Sequence, residues 1–124
     1  MPQIEVAFFR HADGQVPVRR WLDELRRIDQ SAYDRCVARI SQLAEFGYEL
    51  RRPAADFLVD GVYELRARSG RVNYRILYCF HGLGLAVLLH ALTKEDRVPP
   101  IELRRALDRK ALLESEPTVH VQED

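Results

Sequence analysis

Residues 61–94, GVYELRARSGRVNYRILYCFHGLGLAVLLHALTK, decide the fold. Three strand-like runs are separated by turns at Ser69-Gly70 and Gly82-Leu83-Gly84, the signature of a three-stranded antiparallel meander. Arg66, Arg68, Arg71, Arg75 and Lys94 sit on those strands or at their ends. Strands that only build a core carry little charge, so this much positive charge points to a surface that faces an anion.

Strand alternation sharpens the expectation. From Val62 to Ser69, Tyr63, Leu65 and Ala67 share one face, while Glu64, Arg66 and Arg68 share the other. On the next strand Tyr74, Ile76, Tyr78 and Phe80 lie on one side, with Asn73, Arg75, Leu77 and Cys79 opposite. In the simplest register Arg66, Arg68 and Arg75 converge in one cleft. The alternative is cross-strand pairing of these arginines with Glu64 or another acid on a wet face.

Upstream of the meander, Ile4–Phe9 is apolar with Glu5 its only charge and reads as a first strand, closed by a turn at residues 11–14. Val18, Trp21, Leu22, Leu25 and Ile28 then recur at helical spacing after Pro17. Ser31 and Asp34 form a capping box for a second helix, whose stripe of Tyr33, Cys36, Val37, Ile40, Leu43 and Ala44 ends at Gly47. The pattern fails between Tyr48 and Asp60, where Arg51-Arg52-Pro53 excludes a helix, and this segment reads as a loop. After Lys94, Pro99-Pro100 leads into a last helix striped by Leu103, Ala106, Leu107 and Leu113. The fold class expected is α+β in the order β-α-α-β-β-β-α, with a helical hairpin packed on one face of an antiparallel meander sheet.

A chain of 124 residues, 47% hydrophobic and 31% charged, suits one globular domain. No apolar run is long enough to span a bilayer, and the first residues lack signal-peptide character, so a cytoplasmic protein with no membrane partner is expected. Net charge is zero, but four acids, Glu114, Glu116, Glu123 and Asp124, lie in the last eleven residues, leaving nineteen cations against fifteen acids, or +4, before them. The expected division is a domain over residues 1–113 and a flexible acidic tail over 114–124. Cys36 and Cys79 read as buried thiols rather than a disulfide or metal pair. His11, His81 and His90 do not have metal-ligand spacing, so no metal or cofactor is expected. His90 is foremost a hydrogen-bonded core histidine and, four residues before Lys94, a secondary catalytic candidate.

The chain resembles the RelE/HigB-type toxins of bacterial toxin-antitoxin modules, and most closely their phage-derived Gp49-like branch. The resemblance is carried by Asp13-Gly14, Val18-Arg-Arg-Trp-Leu-Asp-Glu-Leu25, Leu50-Arg-Arg-Pro53, Asp60-Gly-Val-Tyr-Glu-Leu-Arg66, Tyr74-Arg-Ile-Leu-Tyr78, Val87-Leu-Leu-His-Ala91, and Lys94 before Pro99. It implies a RelE-like domain acting as a ribosome-dependent mRNA endonuclease, silenced by a cognate antitoxin, a small helix-turn-helix protein of the HigA/Xre type. Cleavage in such toxins proceeds by attack of a 2′-hydroxyl on the next phosphate without a metal. That chemistry calls for cations at the developing phosphorane, an acceptor for the 2′-proton and a donor to the leaving 5′-oxygen. Carried over residue by residue, the resemblance makes Arg66, Arg75 and Lys94 catalytic candidates, and His90 joins them from its place four residues before Lys94. Arg68, Arg71, Glu64 and Tyr74 become substrate-binding candidates. Glu64 and His90 are the nearby groups able to accept a proton, while Glu95 and Asp96 stand beside Lys94, where relatives carry more basic residues. The alternatives are a non-catalytic RNA- or antitoxin-binding module and a ParE-like gyrase inhibitor on the same architecture.

Overall fold

The computed structural model describes residues 4–93 and 97–123. Strand β1 (Glu5–Phe9) is followed by helices α1 (Pro17–Ile28) and α2 (Gln30–Phe46), strands β2 (Ala55–Val59), β3 (Val62–Ser69), β4 (Val72–His81) and β5 (Leu85–Thr93), helix α3 (Pro100–Ser115), a short helix α4 (Pro117–His120) and strand β6 (Val121–Gln122). The six strands form one sheet in the order β2-β3-β4-β5-β1-β6, antiparallel except where β1 runs parallel to β5.

The sheet is covered on both faces, which extends the expected single layer of helices. On one side the α1–α2 hairpin supplies Val18, Leu22, Leu25, Ala32, Cys36 and Leu43 against Leu65, Ala67, Tyr74, Ile76, Tyr78 and Leu88. On the other, Ala106 and Leu113 of α3 pack with Val62, Leu77, Cys79, Val87, Leu89 and Leu92. The face split expected for β3 and β4 is therefore the one observed. Both cysteines are buried and unbridged, and burial pushes each thiol up to about 12.

Three local differences have physical causes. The segment expected to be a loop contains β2, an edge strand with one neighbour in the sheet, which leaves Phe57 53% exposed and blurs its alternation. It joins β3 through Asp60-Gly61, both at positive φ, 49° and 80°, the backbone that a two-residue hairpin turn requires. The second helix begins two residues earlier than the capping box implied, because Asp29 rather than Ser31 is the cap: its Oδ1 accepts from the Ala32 amide at 3.1 Å. The segment read as a loose acidic tail carries α4 and β6. Gln122 and Val121 pair with Phe8 and Phe9, Arg10 donates from Nε to Val119 O at 3.0 Å, and the buried His120 stacks on Phe9 with ring centroids 5.3 Å apart.

A bulge in β5 prepares the functional face. Leu77 lies opposite His90 while its neighbour Tyr78 lies opposite Leu88, so Leu89 is an extra residue. Both Leu89 and His90 consequently turn toward α3.

Candidate functional site: an arginine face braced by a buried glutamate

Three rows of side chains cross the α3 side of the sheet. Glu64, Leu77 and His90 make the first, Arg66, Arg75 and Leu92 the second, and Arg68 and Asn73 the third. Arg66 and Arg75 stand directly opposite each other, an arrangement that is unfavourable for like charges unless an anion lies between them. Glu64 supplies it. Only 1% exposed, its Oε1 accepts from Arg75 Nη1 at 2.7 Å and its Oε2 from Arg66 Nε at 2.8 Å. Neither charge set would be stable alone: a buried carboxylate carries a large desolvation cost, offset here by two guanidiniums.

The network continues to the sheet edge. Asp56 on β2, opposite Glu64, accepts from Arg66 Nη2 at 3.2 Å and from Arg52 Nε at 2.9 Å. Arg68 is exposed and bends over the β3–β4 turn, donating from Nε to Gly70 O at 3.0 Å, and Arg71 is exposed within that turn. The structure thus joins Glu64, Arg66 and Arg75 in direct contact and sets Arg68 one row away. Counting Arg52, four guanidiniums share this region with two carboxylates, a local excess of two positive charges. The cross-strand pairing with Glu64 is the arrangement present for Arg66 and Arg75, while Arg68 bends to the β3–β4 turn instead of joining them.

His90 belongs to a separate chain of contacts that pins α3 to the sheet. Arg109 Nη1 donates to Leu89 O at 2.8 Å and to His90 Nδ1 at 3.1 Å, while His90 Nε2 faces the Glu102 carboxylate. Nδ1 is therefore the acceptor and Nε2 carries the proton toward Glu102. Burial holds this imidazole below its ordinary value of 6.5; Glu102 opposes that shift and Arg109 adds to it. The ring is a neutral tie between β5 and α3, bonded on both nitrogens.

Tyr74 is a correction to the sequence expectation. Its ring lies on the opposite face, in the core beneath α1 and α2, with its centroid 6.1 Å from that of Trp21. Period-two alternation puts Tyr74 and Arg75 on opposite sides of β4, so the two cannot bind one ligand together. Lys94 lies outside the described residues. Sequence reasoning missed Arg52 and Asp56, which follow from the Asp60-Gly61 hairpin signal, and Glu102 and Arg109, which at a spacing of seven share one face of α3. Among the described residues no group of three or more His, Cys, Asp and Glu is placed to hold a metal ion, and no helix is long and apolar enough to cross a membrane.

A family model described as "Phage derived protein Gp49-like (DUF891)" matches residues 23–111, from within α1 through most of α3 and across every strand of the arginine face. The chain belongs to the Gp49-like family. That family is a RelE/HigB-like toxin branch, and membership associates this Gp49-like chain with toxin-antitoxin modules and an antitoxin partner. No curated protein matches the chain.

Proposed function

We propose that this Gp49-like protein is the toxin of a toxin-antitoxin pair and an endoribonuclease that cuts mRNA on the ribosome. The observation that carries the proposal is the Glu64-centred arrangement of Arg66 and Arg75, two guanidiniums oriented by one buried carboxylate on an otherwise cationic face. A fixed guanidinium suits phosphate, because its planar donor fork matches two oxygens of a tetrahedral group.

In the proposed reaction the 2′-oxygen of one nucleotide forms a bond to the adjacent phosphorus. The phosphorus–O5′ bond breaks, leaving a 2′,3′-cyclic phosphate and a 5′-hydroxyl. Arg75 and Arg66 stabilise the charge that accumulates on the phosphorane oxygens, and Arg68 and Arg71 hold the flanking backbone. Water takes the proton from O2′, and another proton is delivered to O5′ from water or from Lys94, whose ammonium otherwise serves as added positive charge. His90, bonded on both nitrogens, acts as a positioning residue that keeps β5 and α3 in register beside the face.

One observation favours a second function. Glu64 and Asp56 already pair with Arg66 and Arg75 in part, which equally suits a module that binds RNA or its antitoxin without cutting. Induced expression without the antitoxin separates the two. Growth arrest that disappears in Arg75→Ala, with the variant present at the wild-type level, supports the nuclease. Harmless wild-type expression, with the purified protein still binding RNA, supports the module. Inhibition of DNA supercoiling with translation intact would identify a gyrase poison instead.

A further inference from the structure

A second arginine group lies one step beyond the Glu64 network, around a depression of about 150 Å³ between α2 and β3. Arg35, Ala38, Arg39 and Gln42 line it from α2, and Ala67 and Arg68 from β3. Arg35, Arg39 and Gln42 follow at spacings of four and three, so the helix presents them along one stripe.

This group differs from the Glu64 network in charge. Arg66 and Arg75 each meet a carboxylate, whereas none of the residues lining the depression is acidic. Arg39 is held by neutral acceptors: Nε donates to Arg66 O at 2.7 Å and Nη1 to Gln42 Oε1 at 2.9 Å. Arg68 is likewise held through Nε by a backbone carbonyl, Gly70 O at 3.0 Å. Asp34, next to Arg35 in the chain, accepts from Gln30 on the preceding turn. Like charges four apart on a helix repel, and a third guanidinium from β3 adds to that repulsion. An anion in the depression would relieve it. The space accommodates one tetrahedral anion with a few waters, since a water's share is about 30 Å³.

The position says which anion. The Arg39 guanidinium is bonded to the backbone of Arg66, whose side chain lies in the Glu64 network, and Arg68 takes part in both the third row of the sheet face and the depression. β2 pairs with β3 as far as Leu65, and the Arg66 amide then donates to Ala54 O at 2.8 Å, so the strand edge that a chain passing from one arginine group to the other would cross begins beyond Arg66. We infer that Arg35, Arg39 and Arg68 form a second phosphate site, which binds the backbone of single-stranded RNA next to the phosphate held by Arg66 and Arg75. The inference rests on the RNA reading of the arginine face and adds to it the path of the strand.

Two measurements test it separately from cleavage. Inorganic phosphate is titrated into the full-length protein while the arginine Nε–H resonances are followed by NMR. The Arg39 and Arg35 signals are expected to shift saturably in wild type and in Arg75→Ala, and the shift to be lost in Arg35→Gln. In parallel, binding of a 2′-O-methyl RNA oligonucleotide, which lacks the attacking hydroxyl, is measured against salt by fluorescence anisotropy. Each phosphate neutralised on a single strand contributes about 0.7 to the slope of log affinity on log salt. Arg35→Gln, an exposed position, and the double variant Arg35→Gln/Arg39→Gln are expected to lower that slope by about this amount. Absent phosphate shifts, or a slope equal to wild type in both variants, would overturn the site. A lowered slope with no cleavage by any form of the protein would uphold the site while removing the nuclease.

Discussion

Replacing Glu64 by glutamine tests whether the arginine face is held together as described. The substitution preserves shape and one acceptor oxygen but removes the charge between Arg66 and Arg75. Deleting one partner of a buried ion pair costs about 3–5 kcal/mol when the remaining charge stays buried. Here the two remaining charges differ: the Arg75 side chain is 13% exposed and the Arg66 side chain 39%. Arg66 can recover water, so most of the loss comes from Arg75, and the expected destabilisation is at the lower end, about 3 kcal/mol. For a domain of this size each kcal/mol moves Tm by about 3–5 °C, so circular dichroism should record a fall of roughly 10 °C. A double-mutant cycle with Arg75→Met should give a coupling energy of about 1–3 kcal/mol, as for groups in direct contact. A Glu64→Gln protein within about 0.5 kcal/mol of wild type, the level of an ordinary surface substitution, would refute the bracing role.

Other outcomes follow from the same geometry. Tyr74→Phe should leave RNA binding and cleavage unchanged, whereas Tyr74→Ala should cost about 3–5 kcal/mol in urea unfolding, because the ring fills the core beneath α1. His90 has a folded-state pKa below its unfolded value of 6.5, so the unfolded chain binds the extra proton first. Its contribution to stability is complete above 6.5 and is lost as pH falls through the lower folded value. Melting curves between pH 5 and 7.5 should therefore show stability rising with pH, and His90→Gln should flatten the rise; His11, also lowered by burial and by Arg109, accounts for part of what persists. Truncation after Ser115 removes the partners of Phe9 and Arg10, and should lower stability by about 1–3 kcal/mol while leaving the phosphate-dependent NMR shifts of the arginines intact.

What the sequence made legible and what it did not divide along local and non-local physics. The meander and the two faces of β3 and β4 follow from period-two alternation and glycine turns, both properties of neighbouring residues, and the structure reproduces them. Strand β2 was obscured because an edge strand buries one side and leaves Phe57 outside, yet Asp60-Gly61 announced its hairpin. The order of the C-terminal segment depends on Arg10, 109 residues from its partner Val119, which no local pattern encodes. At the site, the cations were visible as charges on one strand face. The depth of Glu64 was not, because its burial comes from two arginines and the strand beside it rather than from an apolar environment in the sequence. His90 became a tie rather than a free base through the bulge at Leu89 and through α3, a helix whose place against the sheet was not assigned from sequence.

The most direct experiment is cleavage of a translated mRNA by purified protein, with the ends mapped by primer extension and the upstream fragments analysed for a 2′,3′-cyclic phosphate. Wild type should cut, ribosomes should be required, and Arg75→Ala should abolish the cut while remaining folded and retaining phosphate binding at Arg35 and Arg39. Equal cleavage by wild type and Arg75→Ala would contradict the assignment of the Glu64-braced arginines as the reactive centre, and no cleavage by wild type would leave an arginine-bearing meander that binds its partner and nucleic acid without cutting it.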